Sequence, residues 1–513
     1  MRDRLKRIAL TMAFSMTLLM AAGVTAEGAD LRLVEAVRNQ DQQRVRTLLN
    51  QKADVNARAG DGSTALLWAA HWNDIETADR LIRAGADPNT ANDFRMTPLS
   101  EACTNASAAL VDLLLKAGAN PNTPVGTGVP PIMTCARSGS VDAVKRLIAG
   151  DADVNAKEPA QNQTALMWAA AEHHPDIVRS LIEAKADLQA HTKNGFTALH
   201  FAAREGDIES ARLLLAAGVN VNIRSQPDVP QIAKKSEEGN PLGPRALSAT
   251  ISEGATPLLV ATLRAQVPLA LFLLEQGADP NVGDAGLTPL HWAATTWENG
   301  TANPVYGFEE PMAGIAHRQA KLRLVRSLLA HGASPNVRMT RPKPAFAGGY
   351  TDAVGATPFL LASSVDDVEM MRLLLAAGAD PKLMTATNTT AVMAASALNH
   401  PVGESAVTEG QAIEAVRFLL DLGLGAGGVT TFNENALFGP AYRGWNTLLE
   451  LLIEKGAEVN VVSKAGVTPW LAASGYGDRL GGVLYNKEGA DILARHGADP
   501  KLGKPCEAQN KCR

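Results

Sequence analysis

The chain has 513 residues, far more than one ordinary hydrophobic core requires, and its 48 Lys and Arg stand against 53 Asp and Glu for a formal net charge of −5. That balance lacks the basic excess of a nucleic-acid surface, so nucleic acid is excluded as the expected partner. Abundant Ala and Leu with only 4% aromatic residues are ordinary for a soluble protein.

Residues 1–26 read as a targeting segment. Arg2, Arg4, Lys6 and Arg7 make a positive start, Ile8 to Ala22 is an apolar run, and Val24-Thr25-Ala26 offers small residues for cleavage after Ala26. The run is too short and too poorly flanked to be read as a membrane span; an uncleaved anchor is the alternative. No Cys follows it, so a lipid anchor is not indicated. The mature protein is expected in the periplasm or secreted, with no integral membrane span.

Residues 30–57 have the pattern of a half-formed first repeat. Leu31, Leu33, Val34 and Val37 mark one short helix and Val45, Leu48 and Leu49 the next, with a wet surface from Arg38 to Arg44, as a terminal cap needs. Five regular repeats follow over 58–225. Their best example is Asn194 to Asn222: Thr197 caps a helix bearing Leu199, Ala202 and Ala203, Gly206 and Asp207 turn the corner, and Ile208 to Leu215 form a second helix. Gly218 ends that helix in the left-handed conformation. Its equivalents along the chain are Lys52, Gly85, Gly118, Asp151, Lys185, Gly277, Gly332, Gly378, Gly423, Gly456 and Gly497, and the regular spacing is 33 residues.

This pattern resembles the ankyrin repeat. The TPLHxAA signature of that family has counterparts in TALLWAA (64–70), TPLSEAC (97–103), TALMWAA (164–170), TALHFAA (197–203), TPLLVAT (256–262), TPLHWAA (288–294) and TPFLLAS (357–363). Its GADVN closing has counterparts at 85–89, 118–122, 277–281, 332–336 and 456–460. The resemblance covers residues 30 to 502. It implies an all-α ankyrin repeat solenoid of about twelve helix-turn-helix units with short β-hairpin fingers, because a repeat with an uncovered apolar face needs neighbours on both sides.

The front half is a plain array and the back half, 253–502, a decorated one. Insertions fall at 226–252, 296–317, 340–353, 399–410 and 475–488, and each reads equally as a binding device or as drift in a tolerant loop. Pro440 is expected to kink or shorten its helix. Cys103 and Cys135 sit at non-equivalent core positions of adjacent first helices. With helix axes about 10 Å apart, against a bridging limit of about 7 Å between Cα atoms, they are read as buried substitutes for Ala. Cys506 and Cys512, in the polar tail 503–513, are the expected disulfide.

The sequence contains no metalloprotease, nucleophile-elbow, P-loop or haem-attachment motif and no convergent nucleophile, base and orienter. The chain is therefore read as non-enzymatic, with no metal and no cofactor. In the family His200 and His291 bond to neighbouring backbone, and Trp68, Trp168, Phe201 and Trp292 occupy a packing position. Family partners are gripped by finger tips and by the last turn of each first helix, across the concave side. Carried over position by position, that implies partner contacts at Met96, Phe196 and Leu287 on the fingers, and at Trp72, Arg137, Arg204, Glu205, Arg264, Tyr442 and Arg443 on the helix ends. Trp, Tyr and Arg dominate interface energies; Trp72 either packs under a loop or awaits a partner. The expected function is a monomeric, exported scaffold for another protein. The alternative is a cell-envelope structural or glycan-binding protein that uses the aromatic insertion 296–317, which holds Trp297, Tyr306 and Phe308.

Overall fold

The computed structural model describes residues 30–226, 228, 253–295, 318–341, 354–398, 407–476 and 485–503. It divides into two compact units, residues 1–187 and 188–513. Residues 1–26, read above as a targeting segment, most of each insertion, and Cys506 and Cys512 lie outside the described residues.

The first unit contains α1 (Arg32–Arg38), α2 (Gln42–Asn50), α3 (Ala65–His71), α4 (Ile75–Arg83), α5 (Pro98–Thr104), α6 (Ala108–Lys116), α7 (Pro131–Ser138), α8 (Val141–Ala149), α9 (Ala165–Ala171) and α10 (Pro175–Glu183). The odd-numbered helices are the first of each pair and pack in series, α1 on α3, α3 on α5, α5 on α7 and α7 on α9; the even-numbered helices do the same beside them.

The second unit contains α11 (Ala198–Glu205), α12 (Ile208–Ala216), α13 (Pro257–Leu263), α14 (Val267–Glu275), α15 (Pro289–Ala294), α16 (Arg318–Ala330), α17 (Pro358–Ser364), α18 (Val368–Ala376), α19 (Ala391–Ala395), α20 (Glu409–Asp421), α21 (Phe438–Arg443), α22 (Asn446–Glu454), α23 (Pro469–Ala473) and α24 (Lys487–Arg495). Serial packing recurs here, α11 on α13, α13 on α15, α15 on α17, α17 on α19, and α21 on α23.

Local chemistry sets each helix boundary. Thr64, Thr97, Thr164, Thr256, Thr357, Thr390 and Thr468 accept a backbone N–H at the start of a first helix, satisfying a donor that has no partner within the helix. Asp41, Asp74, Ser107, Ser140, Asp207, Asp367 and Asn486 do the same for second helices. The second helix ends in a left-handed residue. Gly218 has φ 94°, and Lys52, Asp151 and Lys185 take φ 56°, 63° and 65° despite carrying side chains. Pro440 is tolerated because α21 starts late, at Phe438, leaving the proline within the first turn where no helical donor is needed.

Between most repeats, one asparagine per loop forms a ladder. Asn89 donates from Nδ2 to the Gly118 carbonyl (2.9 Å) and accepts the Asn120 N–H (2.7 Å). Asn56, Asn122, Asn281, Asn336 and Asn460 repeat the donation to the left-handed residue of the next repeat.

The expected β-hairpin fingers are corrected. Among the described residues the fingers form no ladder beyond one isolated bridge, Val125 with Val129. They close instead as tight turns, as in Asn92 N–H to Met96 O (3.0 Å) and Thr192 N–H to Phe196 O (3.0 Å). Arms this short offer too few ladder bonds for a strand.

Cys103 and Cys135 are also corrected: they form a disulfide with Cα atoms 4.5 Å apart, and both are fully buried between α5 and α7. Axis separation misleads at this position. Each Cα stands about 2.3 Å off its axis, so facing positions on helices about 10 Å apart approach to about 5 Å. Small neighbours such as Ala102 and Ala136, both fully buried, allow that approach.

Candidate functional site

The first unit gathers aromatic and charged groups at the ends of its first helices. The stack places the last helical residue of one repeat against the fourth helical residue of the next. Arg38 at the end of α1 lies over the Trp68 ring of α3, 5.2 Å from its centroid. His71 at the end of α3 approaches Glu101 of α5, Nδ1 to Oε2 3.2 Å. Arg137, in the last turn of α7, lies over the Trp168 ring of α9 at 4.8 Å. The hydrogen bond to Glu101 raises the His71 pKa above the ordinary imidazole value, against partial burial.

Trp72 follows α3 and is 43% exposed. Its ring stacks on Trp68 with centroids 6.3 Å apart and planes at 26°, its Nε1 donates to the Arg38 carbonyl (3.2 Å), and His71 meets it edge-on at 4.8 Å. Trp72 is thus held from several sides and still presents indole to solvent. Trp68 is buried, and its Nε1 has no hydrogen-bond partner. Trp168 is half-buried and donates to Gln163 Oε1 (2.7 Å).

On the fingers, Met96 is half-buried with its N–H on Asn92 Oδ1 (2.9 Å). The residue that stands out is Phe94, 64% exposed, which the family pattern did not single out. Asn92 also accepts the Phe94 N–H (3.1 Å), and Arg95 takes a left-handed φ of 60°, so this turn turns Phe94 outward.

In the second unit Phe196 is half-buried, stacked on His200 with centroids 5.2 Å apart. Arg204 lies over Phe201 at 4.7 Å and pairs with Glu205 (2.6 Å), both half-buried. Arg264 is exposed; Tyr442 and Arg443 are half-buried, with Arg443 over Trp445 at 5.1 Å. Leu287 is corrected as a finger-tip contact: it is 3% exposed and belongs to the core, beside buried Ala285. Phe201 and Trp292 are likewise buried.

His200 and His291 are fully buried. Nδ1 of each accepts the N–H of Thr197 or Thr288 (3.2 and 3.0 Å), which leaves Nε2 as the donor: His200 to the Ala255 carbonyl (3.0 Å), His291 to the carbonyls of Val337 and Ala356 (3.1 and 3.2 Å). Burial lowers both to a pKa of about 4, so they are neutral tethers at pH 7.

Asp366 had no place in the sequence reading. It occupies the corner between α17 and α18 at φ 53°, is buried, and its Oδ1 has no hydrogen-bond partner. Burial raises its carboxyl well above the usual range, against the opposing charge of Arg443. Nearby on the same unit, buried Lys321 stands 4.0 Å from Asp367 and burial lowers it to about 8. Among the described residues no group of three His, Cys, Asp or Glu side chains has the arrangement of a metal site, and no helix is long and apolar enough to cross a membrane.

Comparison with known proteins agrees with the repeat geometry. The family model for ankyrin repeats in three copies matches residues 33–125 and 132–225, and the single ankyrin repeat model matches 253–285 and 354–386. The E3 ubiquitin-protein ligase KEG of Arabidopsis thaliana is 26% identical over 342 residues, 62% of this chain and 18% of that protein. Protein PhlB of Serratia liquefaciens is 33% identical over 162 residues, 31% of this chain and 58% of that protein. The chain thus matches less than two thirds of the length of either relative. Among solved structures, the ankyrin repeat domain of human ASB11 is 27% identical, with 41% of this chain and 99% of that one covered and a TM-score of 0.35. With capped helix pairs in series, left-handed helix ends and matching repeat models, the chain belongs to the ankyrin repeat family.

Proposed function

We propose that the protein is exported through residues 1–26 and works as a non-catalytic scaffold that holds another protein along the ends of its first helices. The observation that carries this reading is Trp72, an indole fixed by Trp68, His71 and the Arg38 carbonyl yet 43% exposed. A preorganised exposed Trp beside Arg is the side-chain chemistry that dominates binding energy. Arg137, Phe94 and Met96 on the same unit extend that surface. Arg204, Glu205, Phe196, Arg264, Tyr442 and Arg443 serve the second unit. Export is supported by the positive, apolar, small-residue order of residues 1–26 and by the buried Cys103–Cys135 disulfide, which suits an oxidising compartment.

Affinity capture of the mature protein from the exported fraction tests the reading. A specific protein is expected to co-purify and to be lost from the Trp72→Ala variant. Recovery of the same proteins by wild type and variant alike would remove Trp72 as the centre of the surface.

A further inference from the structure

We propose that the first-helix line of the unit spanning residues 30–187 takes an extended acidic peptide segment, with one carboxylate on Arg38, a second on Arg137 and an apolar side chain on the open face of Trp72. This rests on the scaffold reading and specifies the chemistry of its partner.

The distribution of charge carries it. On the second helices, Arg80 pairs with Glu76 (2.7 Å), Arg83 with Asp79 (2.9 Å) and Arg146 with Asp112 (2.6 Å). Arg38 and Arg137 differ: each lies on an indole, and among the described residues neither has a carboxylate within salt-bridge distance. The acids on this line are Glu35, Glu101 and Glu172. Glu101 is engaged by His71, and the other two leave both guanidiniums unpaired. A guanidinium held over a ring is restrained by it and keeps N–H groups for a planar, bidentate acceptor. The carboxylate of a partner completes the pairing that the chain does not supply.

Spacing sets the length. Arg38 and Arg137 are three repeats apart along helices spaced about 8–10 Å, so they stand about 25–30 Å from one another. An extended peptide rises about 3.3 Å per residue, so about eight or nine residues span them. Trp72 falls one repeat from Arg38, inside that span, which places an apolar residue between the two acids.

Fluorescence anisotropy with the full chain tests this, using a labelled decapeptide with Asp at each end and Pro-Phe between, and the same peptide with Asn or Lys replacing Asp. The Asp peptide is expected to bind about tenfold tighter than the Asn peptide at low salt, the Lys peptide weakest, with the gap closing as salt rises. Arg38→Gln and Arg137→Gln should each weaken the Asp peptide several-fold and leave the Asn peptide unchanged. The salt series on wild type needs no variant to fold. Equal binding of the three peptides, absence of binding, or equal loss across all three in the arginine variants would overturn the proposal. A co-purified protein that is lost from Trp72→Ala but retained by Arg38→Gln and Arg137→Gln would remove the acidic peptide while keeping the scaffold.

Discussion

His200 and His291 show how one side chain joins two repeats and attaches a pH limit to the join. Their folded pKa of about 4 lies below the ordinary 6.5, so on acidification the unfolded chain takes up the proton first. Their contribution is complete above about pH 6.5, falls as pH drops toward 4, and levels off below that. Each shift corresponds to about 3 kcal/mol. Urea unfolding midpoints compared at pH 7 and about pH 4.5 should fall more steeply for wild type than for His200→Gln combined with His291→Gln; parallel slopes would contradict neutral burial. Asp366 is the opposite case, a residue the fold tolerates at a cost. Gly139, Gly206 and Gly444 take the equivalent corner at φ 84°, 83° and 74°, whereas Asp366 adds a Cβ in left-handed backbone and an unpartnered buried oxygen. Asp366→Gly is expected to raise stability by about 1–2 kcal/mol, read as a higher Tm. A lower Tm would mean that the carboxyl has a role the corner geometry does not show.

At the scale of the element, the helix pair is set by sequence-local signals, and neighbouring pairs are joined by three devices: the asparagine ladder, the histidine tethers and the disulfide. The disulfide joins α5 to α7 across a sequence separation of 32. Closing a loop of that size restricts the unfolded chain by about 3–4 kcal/mol. The Cys103→Ala, Cys135→Ala double variant should lower the unfolding midpoint accordingly, and the wild-type protein unfolded without reductant should yield no reactive thiol from this pair because the two sulfurs are bonded to each other. Wild type and double variant with the same midpoint in the absence of reductant would rule the bond out as a staple. Glycine has an element-scale use in α21, where a Cβ on Gly439 would collide with the Ser396 carbonyl. Its absence lets α21 seat against the corner that follows α19.

At the scale of the molecule, the proposed function rests on the surface, and the first-helix line of the unit at residues 30–187 is its best-defined part. Export belongs to this scale. Amino-terminal sequencing of the protein recovered from the exported fraction should begin at Glu27, after cleavage behind Ala26. A chain that still begins at Met1 and is recovered with the cytosol would overturn the export proposal.

The repeat length, the capping threonines, the left-handed helix ends and the core faces were all legible in the sequence, because each follows from contacts within about thirty residues and recurs in phase. Lys52, Asp151 and Lys185 kept the glycine conformation because repeat geometry overrides single-residue preference. Tertiary packing alone decided what depends on distances between repeats. It brought Cys103 onto Cys135, turned Leu287 inward, stood Phe94 out on its turn, and buried Asp366. It also laid Arg38 and Arg137 on indoles of the following repeats. Periodicity fixes which face a side chain occupies, but how closely two faces approach is set by the sizes of all the groups between them.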